Sequence, residues 1–197
     1  MSYLLVLITS YLLGSIPFGL ILGKWLSKKD VREHGSGNIG MTNVLRTAGV
    51  IPALLTLLGD AGKGFVSVLL AAAATDDPFF ALLAGTAAVI GHNWSVFLRF
   101  SGGKGVATAA GVMFAVRPWS ALILFLVWVG VLVLSRYISL ASITAAICLP
   151  FVLLMFGASP LEFGLAVVIS IFTVFRHRSN IGRLLAGTEF RFGERIE

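Results

Sequence analysis

Three short polar stretches interrupt an otherwise apolar chain of 197 residues. They comprise Gly35–Asn43, Ser101–Thr108 and Arg176–Arg183. Each places backbone N–H groups or neutral polar side chains next to a lysine or an arginine, which is the combination that binds phosphate oxygens. The three stretches therefore predict an anion-binding site, and a single one if the fold brings them to the same side of the molecule.

The first stretch is dense in glycine, and Arg46 follows it closely. Glycine lets successive N–H groups turn toward one point, because no Cβ stands in the way. An isolated loop of this composition is more often an ordinary turn between helices, but the density of donors favours phosphate binding. The candidate binding residues are Ser36, Gly37, Asn38, Gly40, Thr42, Asn43 and Arg46.

The second stretch places Gly102, Gly103 and Lys104 directly before an apolar segment. The GxxxxGK[ST] spacing of a P-loop is absent and no acidic partner for Mg²⁺ is evident, which argues against nucleotide hydrolysis. A glycine-rich turn, a lysine and a helix N-terminus together favour an anion. His92, just upstream, is interpreted as a structural or interfacial histidine rather than a catalytic one.

The third stretch contains His177 and Asn180, whose i, i+3 spacing places them on one helix face. His177 fits a general base, a hydrogen-bond donor to substrate or a helix cap, and spacing alone does not separate these roles. Ser142 stands near the start of another predicted helix, where it could line the same pocket or act as a cap. We take Lys104, Ser142, His177 and Asn180 as the candidate catalytic residues.

Several catalytic arrangements are missing from the sequence. No acidic residue adjoins His177 to form a Ser–His–Asp triad, few carboxylates are available for a metal, and no histidine has an aspartate five positions on. We therefore expect no metal and no cofactor. Catalysis would come from positioning and charge stabilisation, which suffices only if the substrate is already activated.

The composition is that of an integral membrane protein. Hydrophobic residues make up 57% of the chain and charged residues only 12%, with a mean hydropathy of +0.95. The net charge of +6 is better explained by the orientation rule for cytoplasmic loops than by nucleic acid, and it also favours anionic lipid headgroups and anionic substrates.

The apolar segments predict an all-α fold with seven transmembrane helices in a single domain covering residues 1–197. Basic residues are concentrated on one side if the N-terminus lies outside and the C-terminus in the cytoplasm, since only Arg117 and Lys63 of the 15 lie elsewhere. This topology puts all three polar stretches and the Arg136–Ser142 turn on the cytoplasmic face. The predicted segments are 3–23, 48–75, 78–98, 105–116, 118–135, 138–156 and 160–175.

Two predicted segments are unusual. Residues 105–116 would form a helix only about 18 Å long at 1.5 Å per residue, too short to cross a bilayer alone, so either the membrane thins there or the preceding loop dips below the interface. Asp60 and Lys63 lie inside a span with i, i+3 spacing, so they can form an ion pair on one helix face. Charges at such depth mark function in many proteins, and a structural pair that joins two helices is equally compatible.

Four motifs, in this order, resemble the bacterial acyl-phosphate-dependent glycerol-3-phosphate acyltransferase family (PlsY). They are GSGNIGMTNVLR, GHNWSVFLRFSGGKGVAT, SLASI and RHRSNIGRLLAGTE, and the resemblance runs from about Tyr11 to Glu189. The chain departs from the family's usual residues at Met41, Ser101, Ser179 and Gly182, which bear on substrate affinity rather than on the type of reaction.

The resemblance implies transfer of a fatty acyl group from acyl phosphate to the 1-hydroxyl of glycerol 3-phosphate, giving lysophosphatidic acid without an acyl-enzyme. On this reading Lys104, Arg46 and the first glycine loop hold phosphates. Ser142, His177 and Asn180 orient the glycerol phosphate, and the hydroxyl proton passes to His177 or to a substrate phosphate. The arginines on either side of His177 should disfavour its protonation. This favours transfer of the proton to a phosphate oxygen of a substrate.

We further expect a monomer in the bacterial inner membrane, in contact with membrane lipids, with its site on the cytoplasmic face. Two alternatives remain at this point. A transporter of a phosphorylated anion would also need cationic patches, although internal repeats and a site near the midplane would be usual. A phospholipid phosphatase would need a nucleophile–acid set that the chain does not obviously offer.

Overall fold

The computed structural model describes residues 3–193, which form helices joined by turns and loops. Within this range the only extended pairing is an isolated antiparallel bridge between Ser95 and Ser101, so the all-α prediction is confirmed. The helices are α1 (Tyr3–Ser15), α2 (Phe18–Ser27), α3 (Met41–Ala48), α4 (Val50–Ala72), α5 (Pro78–Asn93), α6 (Val106–Val116), α7 (Pro118–Ser135), α8 (Ile138–Met155), α9 (Pro160–Arg176) and α10 (Arg178–Leu185), with a short 3₁₀ turn at Val96–Leu98.

All seven predicted apolar segments are helical, but they differ in their capacity to cross a membrane. Four are long and apolar enough: Tyr3–Ser27, Val50–Ala72, Pro118–Ser135 and Ile138–Met155. The pair α9–α10, bent by 56°, would be a fifth, whereas α5 and α6 are shorter apolar helices. The count of seven spans and the orientation of the termini therefore stay predictions.

A proline interrupts the first of these spans. Pro17 has no N–H and separates α1 from α2. The carbonyl of Ile16 instead accepts hydrogen bonds from the Phe18 amide, at 3.1 Å, and from Nζ of Lys63, at 2.9 Å. The break therefore provides an acceptor for a charged group within the apolar region.

The chain packs as two compact units, described here as residues 3–116 and 117–193; the single-domain assignment remains a prediction. In the first unit α4 packs against α6, and α1 against α5. Glycines allow close approach of α4 and α6, since a Cβ on Gly64 would collide with the carbonyl of Thr108 and one on Gly111 with that of Ala61. Small residues at helix interfaces are the usual means of tight packing in membranes.

The second unit contains α7–α10. Arg117, which caps α7, donates from Nη2 to Oε1 of Glu162 in α9 at 2.7 Å. Glu162 also completes a capping box with Ser159 at the start of α9. Farther along α9, the Ser170 hydroxyl donates to the carbonyl of Ala146 in α8 at 2.6 Å. These polar contacts fix α9 before it ends at Arg176, and His177 joins it to α10.

Candidate functional site

The first polar loop, residues 30–43, is organised by the buried side chain of Asn43. Nδ2 of Asn43 donates to the carbonyls of Val31 at 2.7 Å and His34 at 3.1 Å, and Oδ1 accepts from the Ser36 amide at 2.8 Å. The side chain is only 2% exposed, so its amide is occupied by the loop itself. Asn43, a predicted phosphate ligand, thus lies where it shapes the loop around it.

A second asparagine fixes the end of the same loop. Oδ1 of Asn38 accepts from the Gly40 amide at 2.8 Å, and Gly40 is the N-cap residue of α3. Gly35 has a φ of 59°, and a Cβ there would collide with Oδ1 of Asn43, so this turn requires glycine. The Ser36 and Gly40 amides, predicted as ligand donors, are therefore bonded within the loop.

The predicted cation and hydroxyl groups of the first polar loop lie near α3. Thr42 and Arg46 are both half-buried and stand four residues apart in this helix, which places them on one face. Ser36 is exposed. The face with Thr42 and Arg46 combines a hydroxyl, a guanidinium and a helix N-terminus, an arrangement that favours an anion.

An ion cluster holds the beginning of the same loop. Asp30 accepts from Nε and Nη2 of Arg32 at 2.9 and 2.6 Å, and it lies 3.0 Å from Nζ of Lys24. Hydrogen bonds from the Arg32 side chain hold the pKa of the Asp30 carboxyl well below its usual range. The aspartate therefore stays ionised at neutral pH and balances part of the basic charge here.

The Gly-Lys loop, Gly102–Gly105, packs directly on the end of α5. The Gly103 amide donates to the carbonyl of His92 at 3.0 Å, and a Cβ on Gly102 would collide with that same carbonyl. Gly105 has a φ of 77° and turns the chain into α6, where the Ala109 amide donates to the Gly105 carbonyl at 2.8 Å. Lys104 is half-buried two residues before α6 begins.

The predicted Asp60–Lys63 ion pair is present, and the structure adds His92 to it. Nζ of Lys63 lies 2.8 Å from Oδ1 of Asp60 and 2.8 Å from Nδ1 of His92. All three residues are buried. The interpretation of His92 as structural fits this position, but its link to an intramembrane charge was missed, because the two residues lie 29 positions apart.

In the second unit His177 is buried at the junction of α9 and α10. Its Nδ1 lies 2.8 Å from the carbonyl oxygen of Thr173. A carbonyl only accepts, so Nδ1 carries a proton, and in the neutral ring Nε2 presents its lone pair as an acceptor. The ring is therefore oriented by α9 with the tautomer that a proton acceptor at Nε2 would need.

Asn180 belongs to a cluster around Glu189 that the sequence did not indicate. Oε1 of Glu189 accepts from Nδ2 of Asn180 at 2.6 Å and from the Ser139 hydroxyl at 2.8 Å, and Oε2 accepts from Nε of Arg183 at 2.7 Å. Burial raises the pKa of the Glu189 carboxyl, but these hydrogen bonds outweigh burial and leave its pKa below the usual value. We call Ser139, Asn180, Arg183 and Glu189 the Glu189 cluster.

Ser142 lies inside α8 rather than at its start, since the N-cap is Tyr137. Its hydroxyl donates to the carbonyl of Ile138 at 2.8 Å and accepts from Nε1 of Trp128 at 3.1 Å. The alternative of a cap is therefore wrong. A hydroxyl held by two such bonds is an oriented group on the helix rather than an activated nucleophile.

The two units present different chemistry. The first offers cations and glycine-rich turns, which suit phosphate groups, and the second offers an oriented imidazole, amide and hydroxyl. Among residues 3–193, no group of three or more His, Cys, Asp or Glu side chains could hold a metal ion.

Comparison with known proteins gives consistent matches over nearly the whole chain. A family model described as glycerol-3-phosphate acyltransferase matches residues 4–187. The chain is 47% identical over 193 residues to glycerol-3-phosphate acyltransferase 2 of Moorella thermoacetica, covering 98% of this chain and 99% of the relative. It is also 47% identical to a glycerol-3-phosphate acyltransferase of Bordetella pertussis, covering 96% and 92%.

Two solved structures also match this chain over nearly its whole length. A crystal structure of PlsY, an integral membrane glycerol 3-phosphate acyltransferase, in its glycerol 3-phosphate form superposes with a TM-score of 0.92 at 46% identity, covering 98% of this chain and 96% of that one. The lysophosphatidic acid form of PlsY gives a TM-score of 0.90 at 45% identity.

Proposed function

The chain belongs to the glycerol-3-phosphate acyltransferase family and is an integral membrane acyltransferase of phospholipid biosynthesis, and we propose that its acyl donor is acyl phosphate. The acceptor is the 1-hydroxyl of glycerol 3-phosphate. The products are lysophosphatidic acid and inorganic phosphate. Membership of this family argues against the two alternatives of a transporter and a phosphatase.

The observation that carries the choice of donor is the arrangement around Ser142 and His177. The Ser142 hydroxyl donates to a backbone carbonyl, and Nδ1 of His177 faces the Thr173 carbonyl rather than a carboxylate. Neither contact is the serine-to-imidazole hydrogen bond by which a base activates a serine nucleophile. Direct transfer from a mixed anhydride needs no such nucleophile, because phosphate is already a good leaving group.

The phosphate groups of the two substrates are assigned to the first unit. In the Gly-Lys loop, Gly102 and Gly103 allow close approach of the backbone, while Lys104 supplies a charge that stabilises the departing phosphate. In the first polar loop and α3, Ser36, Thr42 and Arg46 are assigned to phosphate binding, and Gly37 and Gly40 to the backbone shape that this binding requires. Asn38 and Asn43 act there by holding the loop in shape.

Orientation of the acceptor is assigned to Ser142, His177 and Asn180. The 1-hydroxyl oxygen attacks the carbonyl carbon of acyl phosphate, and the bond from that carbon to the phosphate oxygen breaks. The hydroxyl proton passes to a phosphate oxygen. His177 orients the hydroxyl through Nε2, because its Nδ1 is held by the Thr173 carbonyl.

The reaction is proposed to take place on the cytoplasmic face of the bacterial inner membrane. The cationic groups of the first unit are then supplied with anionic substrates from the cytoplasm, and the acyl chain stays in the lipid. We expect a monomer to be active.

The test is an assay of purified protein in lipid with labelled glycerol 3-phosphate. Acyl phosphate, acyl-CoA and acyl-carrier protein are offered as separate donors of the same chain length. Lysophosphatidic acid should form from acyl phosphate and not from the two thioesters. Product formed only from a thioester would refute the assigned donor.

A further inference from the structure

A buried cluster of charged and polar groups lies beneath the Gly-Lys loop and outside the residues assigned to substrate. Asp60, Lys63 and His92 are 2%, 5% and 4% exposed. Burying charges is costly, and replacing a buried ion pair by apolar residues often leaves a protein equally stable. Intramembrane charges are therefore usually retained for a functional reason.

The hydrogen-bond chemistry of the cluster fixes the tautomer of His92. Nζ of Lys63 lies 2.8 Å from the Asp60 carboxylate and 2.8 Å from Nδ1 of His92. Nδ1 of His92 also lies 3.4 Å from Oδ1 of Asp60, which is longer than its 2.8 Å contact with Lys63. An ammonium has hydrogens to donate and no lone pair to accept with, so at the shorter contact Nδ1 of His92 accepts. The neutral ring then carries its proton on Nε2. The Ile16 carbonyl, at the break between α1 and α2, accepts another Lys63 hydrogen at 2.9 Å.

The Nε2 edge of this ring faces the Gly-Lys loop. A Cβ on Gly103 would collide with Nε2 of His92, so the imidazole occupies the space that a side chain at position 103 would need. The His92 carbonyl meanwhile accepts from the Gly103 amide at 3.0 Å. Residue 92 thus supports Gly103 with both its backbone and its side chain, and the positive N–H end of the ring faces the loop.

We propose that His92 is a positioning residue for the Gly-Lys loop, and that Asp60 and Lys63 serve to lock its ring. Asp60 and Lys63 form an ion pair, so their opposite charges offset each other beside the loop. The contribution of the cluster is the shape of the loop beside Lys104. The effect on turnover rests on the proposed acyl transfer, whereas the effect on the loop does not.

Two substitutions of His92 separate its contact with Gly103 in the Gly-Lys loop from its hydrogen bond with Lys63. His92→Asn keeps an acceptor near the position of Nδ1 but withdraws the edge that touches Gly103. His92→Gln keeps the reach toward Gly103 but misplaces the acceptor for Lys63. For His92→Asn we expect KM for a phosphate-bearing substrate to rise by about tenfold, with kcat changed by less than about threefold, and with a melting temperature close to that of the wild type.

His92→Gln should show the opposite pattern, with a lower melting temperature and a KM nearer to that of the wild type. If the two variants lost activity only in proportion to their melting temperatures, the role of His92 would be structural and the proposal would be wrong. The same conclusion follows if His92→Asn matches the wild type in both KM and kcat.

The contact with Gly103 gives a second, genetic test. In the wild type, Gly103→Ala places a methyl group against the imidazole and should disturb the loop. In the His92→Asn background the shorter side chain leaves room for that methyl. The double variant should therefore be more active than the product of the two single effects predicts, and strict additivity would count against the contact.

Two measurements on wild type and His92→Asn do not depend on turnover. Amide hydrogen exchange over residues 102–104 should be at least about tenfold faster in His92→Asn, while exchange in α8 stays the same. ¹⁵N spectra of the wild-type imidazole should show Nε2 protonated and Nδ1 bare. An unchanged exchange rate or the opposite tautomer would overturn the proposal. Absence of any turnover by the wild type would instead refute the acyltransferase assignment, with both measurements still decisive for the loop.

Discussion

Asn180 and Glu189 are joined by a 2.6 Å hydrogen bond from the amide Nδ2 to the carboxylate Oε1. This bond orients the side chain of Asn180, a proposed catalytic residue. Its acceptor, Glu189, lies nine positions further along the chain. Ser139 and Arg183 share the same carboxylate, so α8, α10 and the segment after α10 meet at one buried charge. The orientation of the Asn180 side chain therefore depends on Glu189.

Removing the charge of Glu189 should weaken the hydrogen bonds of the Glu189 cluster. Glu189→Gln keeps the shape but replaces an acceptor-only group by one with a neutral amide, and hydrogen bonds to charged groups are worth about 1.5–3 kcal/mol each. We expect a clear fall in melting temperature and in kcat. Glu33→Gln, at an exposed carboxylate, is the matched control. Equal behaviour of the two variants would contradict the role of the cluster.

The same cluster predicts a pH dependence of stability. The pKa of Glu189 is lowered from its usual value of 4.5, so the folded state favours the ionised form. This contribution to stability is complete above pH 4.5 and is lost as the pH falls through the lower pKa of the folded state. The melting temperature of the wild type should therefore fall more steeply below this pH than that of Glu189→Gln. Parallel curves would show that Glu189 is not the responsible group.

Lys104 should be needed for chemistry rather than for folding. Lys104→Ala removes the charge proposed to stabilise the departing phosphate, and loss of such a group lowers the rate by about 100-fold or more. Initial rates with acyl phosphate check this. The control is Lys29→Ala, an exposed lysine outside the proposed site, which should retain the wild-type rate. A near-normal rate for Lys104→Ala would remove Lys104 from the mechanism.

Asn43 should act through the shape of the first polar loop. Asn43→Ala leaves the Ser36 amide and the carbonyls of Val31 and His34 without their partner, so the loop should become mobile. We expect KM for a phosphate-bearing substrate to rise and proteolytic cleavage between residues 30 and 43 to become faster. Thr47→Ser, which retains the hydroxyl bonded to the Asn43 carbonyl, should change neither. An ordered loop with full affinity in Asn43→Ala would contradict this assignment.

His177 offers a test of where the proton goes. His177→Asn keeps a donor for the Thr173 carbonyl but lacks Nε2. If a substrate phosphate takes the proton, substantial activity should remain with an unchanged pH profile of kcat. If the residual rate falls to background, or a pH limb present in the wild type disappears, His177 is the general base.

The sequence predicted the local parts of this structure well. Helices follow from runs of apolar residues, and the Asp60–Lys63 pair follows from i, i+3 spacing, because both depend on neighbours along the chain. The contacts of His92 with Lys63 and of Ser139 with Glu189 depend on packing between distant segments, which one sequence does not reveal. The contacts of Asn43 within its loop were not foreseen for a related reason, since a loop asparagine binds its own backbone as readily as a ligand.

The most direct test of direct acyl transfer is a rapid-quench single turnover with acyl phosphate labelled in its acyl group. Excess protein and glycerol 3-phosphate are mixed with the donor and stopped at successive times, and the label is followed in lipid and in denatured protein. We predict that the label passes from acyl phosphate to lysophosphatidic acid with none attached to protein at any time. Labelled protein that forms and then decays into product would contradict the account.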